Sequence, residues 1–208
     1  PRRPVVAYEI LPPREKDGTL NSYAEKISSL LSQTHIDAIN IPEVRDEVAR
    51  GERPIKNQVR AEPREFGRLL QDIIGIEAIV NRVVVHQNIE KEMKWLEETN
   101  VKYEIENLIT VGGESRDIRY PGPTVNQALN AISQNDSLNL LCGGISIPSR
   151  DRESLRLIKK SENGSEFFTT QVLYDASKVI KMITHYQKRC DVKNTFPRRV
   201  LLSFAPVS

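Results

Sequence analysis

Phe167-Phe168-Thr169-Thr170-Gln171-Val172-Leu173-Tyr174-Asp175 is the stretch whose reading decides the fold. Aromatic and β-branched side chains fill both faces of a covered sheet, so this run reads as a buried strand. A helical segment ending at Gly164 precedes it and another, Ala176 to His185, follows. A strand set between helices belongs to a βαβ unit and hence to a parallel sheet. Gln171 interrupts the apolar run. Burying its amide unpaired costs about 1–3 kcal/mol, so neighbouring backbone or a ligand must satisfy it.

The same alternation extends outward in both directions. Pro4 to Leu11 is a short apolar run stopped by Pro12-Pro13, and Ile36 to Ile41 is a second, ended by Pro42. Ile76 to Val85, interrupted by polar Asn81 and Arg82, is a third, and Leu108 to Val111 a fourth. Leu138 to Ile147 is the fifth, ended by Pro148, and Arg199 to Phe204 closes the series. Between them lie amphipathic helical patterns. Asn21 caps one carrying Ala24, Ile27, Leu30 and Leu31; Pro63 opens one carrying Phe66, Leu69, Leu70, Ile73 and Ile74. Asn88 to Thr99 is the third, a helix with Val125, Ala128, Leu129 and Ile132 the fourth, and Ser149 or Asp151 caps the fifth. Glu43 to Glu62 is charged and aperiodic, a loop long enough to suggest function or mobility.

Seven strands and six helical segments thus alternate at spacings of about 30 residues. Doubly wound sheets and (β/α)8 barrels both fit that rhythm. No glycine-rich phosphate fingerprint follows the first strand, which counts against a dinucleotide-binding sheet. Glu9, Asn40, Asn81, Glu114 and Gln171 fall at strand carboxyl ends, where a barrel places its site. The reading is an α/β TIM-type barrel of one domain over residues 1–208, incomplete by one strand and one helix.

Composition narrows the function classes. The 208 residues are 38% hydrophobic and 28% charged, with a net charge of +2, and the two signs are interspersed, so no nucleic-acid stripe is present. No apolar run approaches a membrane span, which needs about 18 residues or more. Cys142 and Cys190 lie far apart without metal or redox spacing, as expected of reduced thiols in a cytoplasmic protein. His35, His86 and His185 are scattered and suggest no metal site. The chain begins Pro1-Arg2-Arg3-Pro4 with no initiator Met, so its numbering need not begin at the gene's start.

Among candidate functional groups, Glu9 sits between Tyr8 and Ile10. Desolvation there would raise its pKa and suit it to proton donation; the plain alternative is a Glu9 that simply faces solvent or pairs with Arg14. Glu114 follows Gly112-Gly113, whose backbone can approach a ligand closely; the plain alternative is a solvated loop. Gly143-Gly144 leave space over the sheet for a ligand or for a packed aromatic such as Trp95. Lys159 and Lys160 end a helix, where positive charge is favourable in any case.

Taken in order, these motifs resemble the methylenetetrahydrofolate reductase family over nearly the whole chain. Tyr8-Glu9-Ile10-Leu11-Pro12-Pro13-Arg14 is similar to that family's opening strand, and Thr110-Val111-Gly112-Gly113-Glu114 to its fourth-strand motif ending in Asp. Ile147-Pro148, Lys160 with Gly164, Thr170-Gln171 and Ala205-Pro206-Val207-Ser208 follow in the family's sequence of motifs. The resemblance implies a flavin-dependent barrel using FAD to reduce 5,10-methylenetetrahydrofolate to 5-methyltetrahydrofolate. By it, Glu9 is the general acid, Glu114 and Gln171 bind the tetrahydrofolate, and Lys160 neutralises the flavin phosphate. Departures fall mainly on the flavin side: Asn81-Arg82-Val83 stands where the family has His-Leu-Thr, Ile147 for Tyr, and Asp151 for a His. They motivate an alternative, a flavin-free folate-binding module or partner subunit of a folate-dependent complex. A third reading is an unrelated barrel enzyme using Glu9 and Glu114 as paired carboxylates. The chain stops where the family's eighth strand would follow, which leaves three expectations: the sequence is truncated there, its remainder is not seen, or another chain, a further copy (a homo-oligomer) or a partner subunit, closes the barrel.

Overall fold

The computed structural model describes residues 3–44, 59–115 and 117–205. Residues 45–58 of the charged Glu43–Glu62 stretch and residues 206–208 of the closing motif lie outside them. Seven strands form one parallel sheet in chain order, β1 (Ala7–Glu9), β2 (Ala38–Pro42), β3 (Glu77–Val83), β4 (Asn107–Val111), β5 (Leu141–Ser146), β6 (Phe167–Thr170) and β7 (Arg199–Leu201). Six α-helices connect them, α1 (Leu20–Leu31), α2 (Pro63–Ile74), α3 (Ile89–Val101), α4 (Val125–Ser133), α5 (Glu153–Glu162) and α6 (Ala176–Val192). The sheet curls into an incomplete barrel, and no pairing joins β7 to β1 among the described residues.

Local chemistry accounts for the element ends. Thr19, rather than Asn21, caps α1 by accepting from Ser22 N–H at 3.2 Å. Pro63 occupies the first turn of α2, and Gly75 ends it with φ 71°, a left-handed cap that favours glycine. Neither Ser149 nor Asp151 caps α5; Arg152 takes that position, and Glu153 Oε1 reaches back to accept from Ile147 N–H at 3.0 Å. The chain therefore turns one residue later than a capping side chain alone would place it.

The core has two layers. Outward-facing Ile39, Ile41 and Ala78 pack with Ala24, Leu31, Phe66 and Leu70 of α1 and α2. Val80, Leu108 and Cys142 meet Leu96 of α3 and Leu129 and Ile132 of α4, while Phe168 meets Leu157, Ile158, Met182 and Tyr186 of α5 and α6. On the inner face, Ala38, Ile79 and Ile109 form a smaller cluster with Val111, Ile145 and Phe167. Fully burying each large apolar side chain contributes about 1.5–3 kcal/mol, which is why strands covered on both sides read as near-continuous apolar runs.

The space over Gly143 is filled by an aromatic, but by Phe167 and not Trp95. Gly143 and Phe167 are in-register partners, and a Cβ added at Gly143 would lie 2.5 Å from Phe167 Cζ. The ring occupies the inner-face position that a side chain on β5 would need. Gly143→Ala is expected to cost about 1–3 kcal/mol by overpacking, measured by urea denaturation. An unchanged midpoint would contradict that packing.

Among the described residues no helix is long and apolar enough to cross a membrane. Cys142 and Cys190 are both free and buried.

Candidate functional site

Parallel strands in register bring their carboxyl ends to one rim, and alternation sends every second side chain to the inner face. Glu9 pairs in register with Asn40, and Pro42 with Asn81. Glu9, Asn40 and Asn81 therefore share the face that carries Ala38, Ile79 and Ile109. Asn40 Nδ2 donates to Glu9 Oε2 at 2.8 Å, which orients the carboxylate along the rim. Three polar residues on three adjacent strands thus share the inner face, with Asn81 one inner position further along than Asn40, whose own register partner is Ile79.

The desolvation expected for Glu9 is not found. The side chain is exposed, because β1 is an edge strand and Tyr8 and Ile10 project to the opposite face. Nor does Glu9 pair with Arg14, whose Nη2 instead meets Asp17 Oδ1 at 2.9 Å. What holds Glu9 is its amide neighbour.

Glu114 lies in the loop after β4, and Tyr120 organises that loop. Tyr120 Oη accepts from Glu114 N–H at 3.0 Å and from Ser115 N–H at 3.5 Å. Its ring covers Gly113 so closely that an added Cβ would sit 2.2 Å from Tyr120 Cζ. The glycine thus makes room for a tyrosine of its own chain. His86 packs edge-on against Tyr120 at 5.5 Å between centroids, and Gly122 N–H donates to Val85 O at 2.9 Å, tying this loop to the one after β3. Glu114 is presented from a braced loop.

Gln171 corrects the reading of its stretch. β6 ends at Thr170, where its partner β5 ends at Ser146, so Gln171 stands just past the strand and is exposed. Its backbone N–H donates to Ser146 O at 3.0 Å, leaving the amide side chain at the rim two residues beyond inner-facing Thr169. Thr169 Oγ1 in turn lies 3.2 Å from Ser203 Oγ after β7.

Lys160 is not brought to this rim. It lies between β5 and α5 on the outer face, with its stem 3.3 Å from where a Gly144 Cβ would be and its Nζ donating to Ile145 O. Burial pushes its ammonium pKa down; Glu153 opposes that, while Arg150 and Arg156 add to it. Its proton donor is committed inside the protein. Arg82, at the position where the resemblance departs on the third strand, also points outward. Its Nε and Nη2 each meet a Glu92 oxygen at 2.8 Å, and its Nη1 meets Glu43 Oε1 at 3.0 Å. Lys160, the residue that the resemblance assigns to the flavin phosphate, is thus engaged elsewhere and does not fit that contact.

Glu9 ends β1 and Glu114 stands past the end of β4, strands that lie three spacings or about 14 Å apart along the sheet. No hydrogen bond joins Glu9, Glu114, Gln171 or Lys160 to one another among the described residues. The row Glu9–Asn40–Asn81 was visible in the sequence only as polar residues at strand ends. Register is what assembles it.

No protein-family model and no curated protein sequence matches this chain. Among solved structures, an uncharacterised protein from Clostridium thermocellum that binds two copies of 5-methyl-5,6,7,8-tetrahydrofolic acid superposes with a TM-score of 0.74 at 20% identity, over 95% of this chain and 65% of that one. A monomeric dihydrodipicolinate synthase variant gives 0.58 at 16% identity, over 96% and 62%. D-glucarate dehydratase from Agrobacterium tumefaciens gives 0.55 at 11% identity, over 97% and 47%. The chain therefore spans less than two thirds of the length of each of these structures. At such identities the likeness establishes the fold: an incomplete α/β barrel of the TIM type.

Proposed function

We propose that this chain binds a reduced folate at the carboxyl-end rim of its curled sheet. The observation that carries the reading is the inner-face row of Glu9, Asn40 and Asn81, with Gln171 on the same rim. Such a row offers carboxylate and amide groups to the hydrogen-bonding edge of a pterin. The ordered resemblance of the Tyr8–Arg14, Thr110–Glu114 and Thr170-Gln171 motifs supports it. So does the similarity in fold to a protein that binds 5-methyltetrahydrofolate, which covers 95% of this chain.

Titration calorimetry with 5-methyltetrahydrofolate tests the reading. Saturable binding is expected, and Gln171→Ala should weaken it by about 1–3 kcal/mol, since removing the amide leaves ligand groups unpaired. Equal affinity of both proteins would remove Gln171 from the site.

A second reading is reductive: the ligand is 5,10-methylenetetrahydrofolate, a flavin supplies hydride, and Glu9 donates the proton that opens the methylene bridge. Its support is the opening-strand motif and the presence of Glu9 on the inner face. The position of Lys160 weighs against the flavin-phosphate contact that the resemblance assigns to it, and a flavin-free folate module or partner subunit stands beside this reading as its alternative. The visible absorption spectrum after incubation with FAD and gel filtration separates the two. Retained oxidised-flavin bands favour the reductase; colourless protein that still binds the folate favours the module.

A further inference from the structure

Asn81 is the least explained polar side chain in the fold. It is 8% exposed, and its Oδ1 is sealed from solvent without a hydrogen-bond partner. Its side-chain nitrogen forms no hydrogen bond either among the described residues, although its backbone carbonyl accepts from Glu43 N–H at 3.2 Å. On the neighbouring strand β2, two residues before Asn81's register partner Pro42, Asn40 shows half of the same pattern: Nδ2 is spent on Glu9, while Oδ1 is buried and has no partner. Buried side-chain amides almost always find partners, so two orphaned oxygens on adjacent strands need a cause. Both lie on the inner face at the carboxyl end, and β3 has valine or isoleucine at the flanking inner positions, Ile79 and Val83. An apolar residue would satisfy packing at position 81 as well as they do.

We propose that Asn81, assisted by Asn40, reads the nitrogen-bearing edge of the bound heterocycle. This rests on the folate reading and names residues to which the motif resemblance gives no binding role. Binding swings the Asn81 side chain about χ1 and χ2, so that its oxygen leaves the sealed position and faces the cleft. Ring N–H and exocyclic amino groups of a pterin are donors, and they match the unpaired oxygen of Asn81, while Asn40 assists by keeping its Nδ2 on Glu9. Glu9, held by Asn40 Nδ2, keeps its other oxygen for the same edge. In the unliganded chain the orphaned amide is a standing cost that ligand binding removes, a pattern expected of sites and not of scaffolds.

That logic yields a test in which binding and stability move in opposite senses. Asn81→Leu keeps the number and branching of the side-chain heavy atoms, at a somewhat larger volume, and removes the polar groups. It is expected to weaken 5-methyltetrahydrofolate binding at least tenfold while leaving the thermal midpoint of the ligand-free protein unchanged or raised. Asn81→Asp, which retains acceptors, should keep affinity closer to wild type than Asn81→Leu does. The inference is overturned if Asn81→Leu binds within threefold of wild type, or if its ligand-free midpoint falls by several degrees as for a structural amide. It is also overturned if Asp binds no better than Leu. If wild-type protein does not bind 5-methyltetrahydrofolate, the folate reading itself falls and this inference with it. That outcome is seen before any substitution is made.

Discussion

Arg82→Met is expected to lower the free energy of unfolding by about 3–5 kcal/mol, the largest single-residue effect anticipated in this chain. Arg82 is 1% exposed, and Glu92, which it meets at 2.8 Å through both oxygens, is fully buried. Taking away the guanidinium leaves a carboxylate in the interior with no counter-charge, and that uncompensated burial dominates the cost. Further contacts are lost with it. Glu43 loses one hydrogen bond while keeping that from Val83 N–H at 2.8 Å, and Trp95 loses a cation stacked 4.3 Å from its ring centre. The double substitution Arg82→Met with Glu92→Met should recover most of the loss, because both charges leave together. Urea denaturation of the three proteins measures this. A single-variant loss below about 1 kcal/mol would show that the network adds little.

Raising the pH from about 9 to about 12 is expected to remove on the order of 4 kcal/mol of stability through Cys142 alone. Cys142 faces α4 from β5 among Leu108, Leu129 and Ile132. Burial pushes its thiol up to about 12 from an ordinary value of 9.0, and the Glu166 carboxylate adds to the shift. The sign follows from proton binding: above pH 9 the unfolded chain gives up the thiol proton and the folded chain keeps it. The contribution is therefore complete below pH 9 and disappears as pH rises through the folded value. Lys160 acts in the opposite sense, since burial lowers its pKa and its folded form more readily loses a proton. Comparing wild type with Cys142→Ala isolates the thiol, and the variant should show a shallower decline between pH 9 and 11. Identical slopes would contradict the assignment.

The alternation of strands and helices was legible because every strand of this sheet except the edges is covered on both faces. Ile39, Ile41, Val80, Leu108 and Phe168 face helices while Ala38, Ile79, Ile109 and Phe167 face inward, so the strands read as mostly apolar runs, broken chiefly at Asn40 and at Asn81-Arg82. Strand ends were less legible. The run through Phe167 continues into Val172 and Leu173, but pairing stops at Thr170 because the neighbouring strand stops at Ser146. Hydrophobicity marks what is covered, whereas hydrogen-bonding register decides where a strand ends.

The same distinction governs the candidate site. Glu9, Glu114 and Gln171 stand out as polar residues at strand ends, and the structure places all three after carboxyl ends or upon them. Asn81 and Arg82 looked like one polar interruption of the third strand, yet they are opposite in kind. Alternation sends Asn81 to the inner face and Arg82 to the helices, where its partners come from positions 43 and 92. Lys160 illustrates the converse: a helix-end lysine in a motif-like position is drawn back onto Ile145 O by its own fold. None of these pairings can be read from local sequence.

The central claim is that the row of Glu9, Asn40 and Asn81 is a folate site, and calorimetric titration of the wild-type chain with 5-methyltetrahydrofolate tests it most directly. Saturable binding that is weakened by Asn81→Leu and by Gln171→Ala is the expected result. Absence of any binding heat, with the protein folded and the ligand kept reduced, would contradict the account.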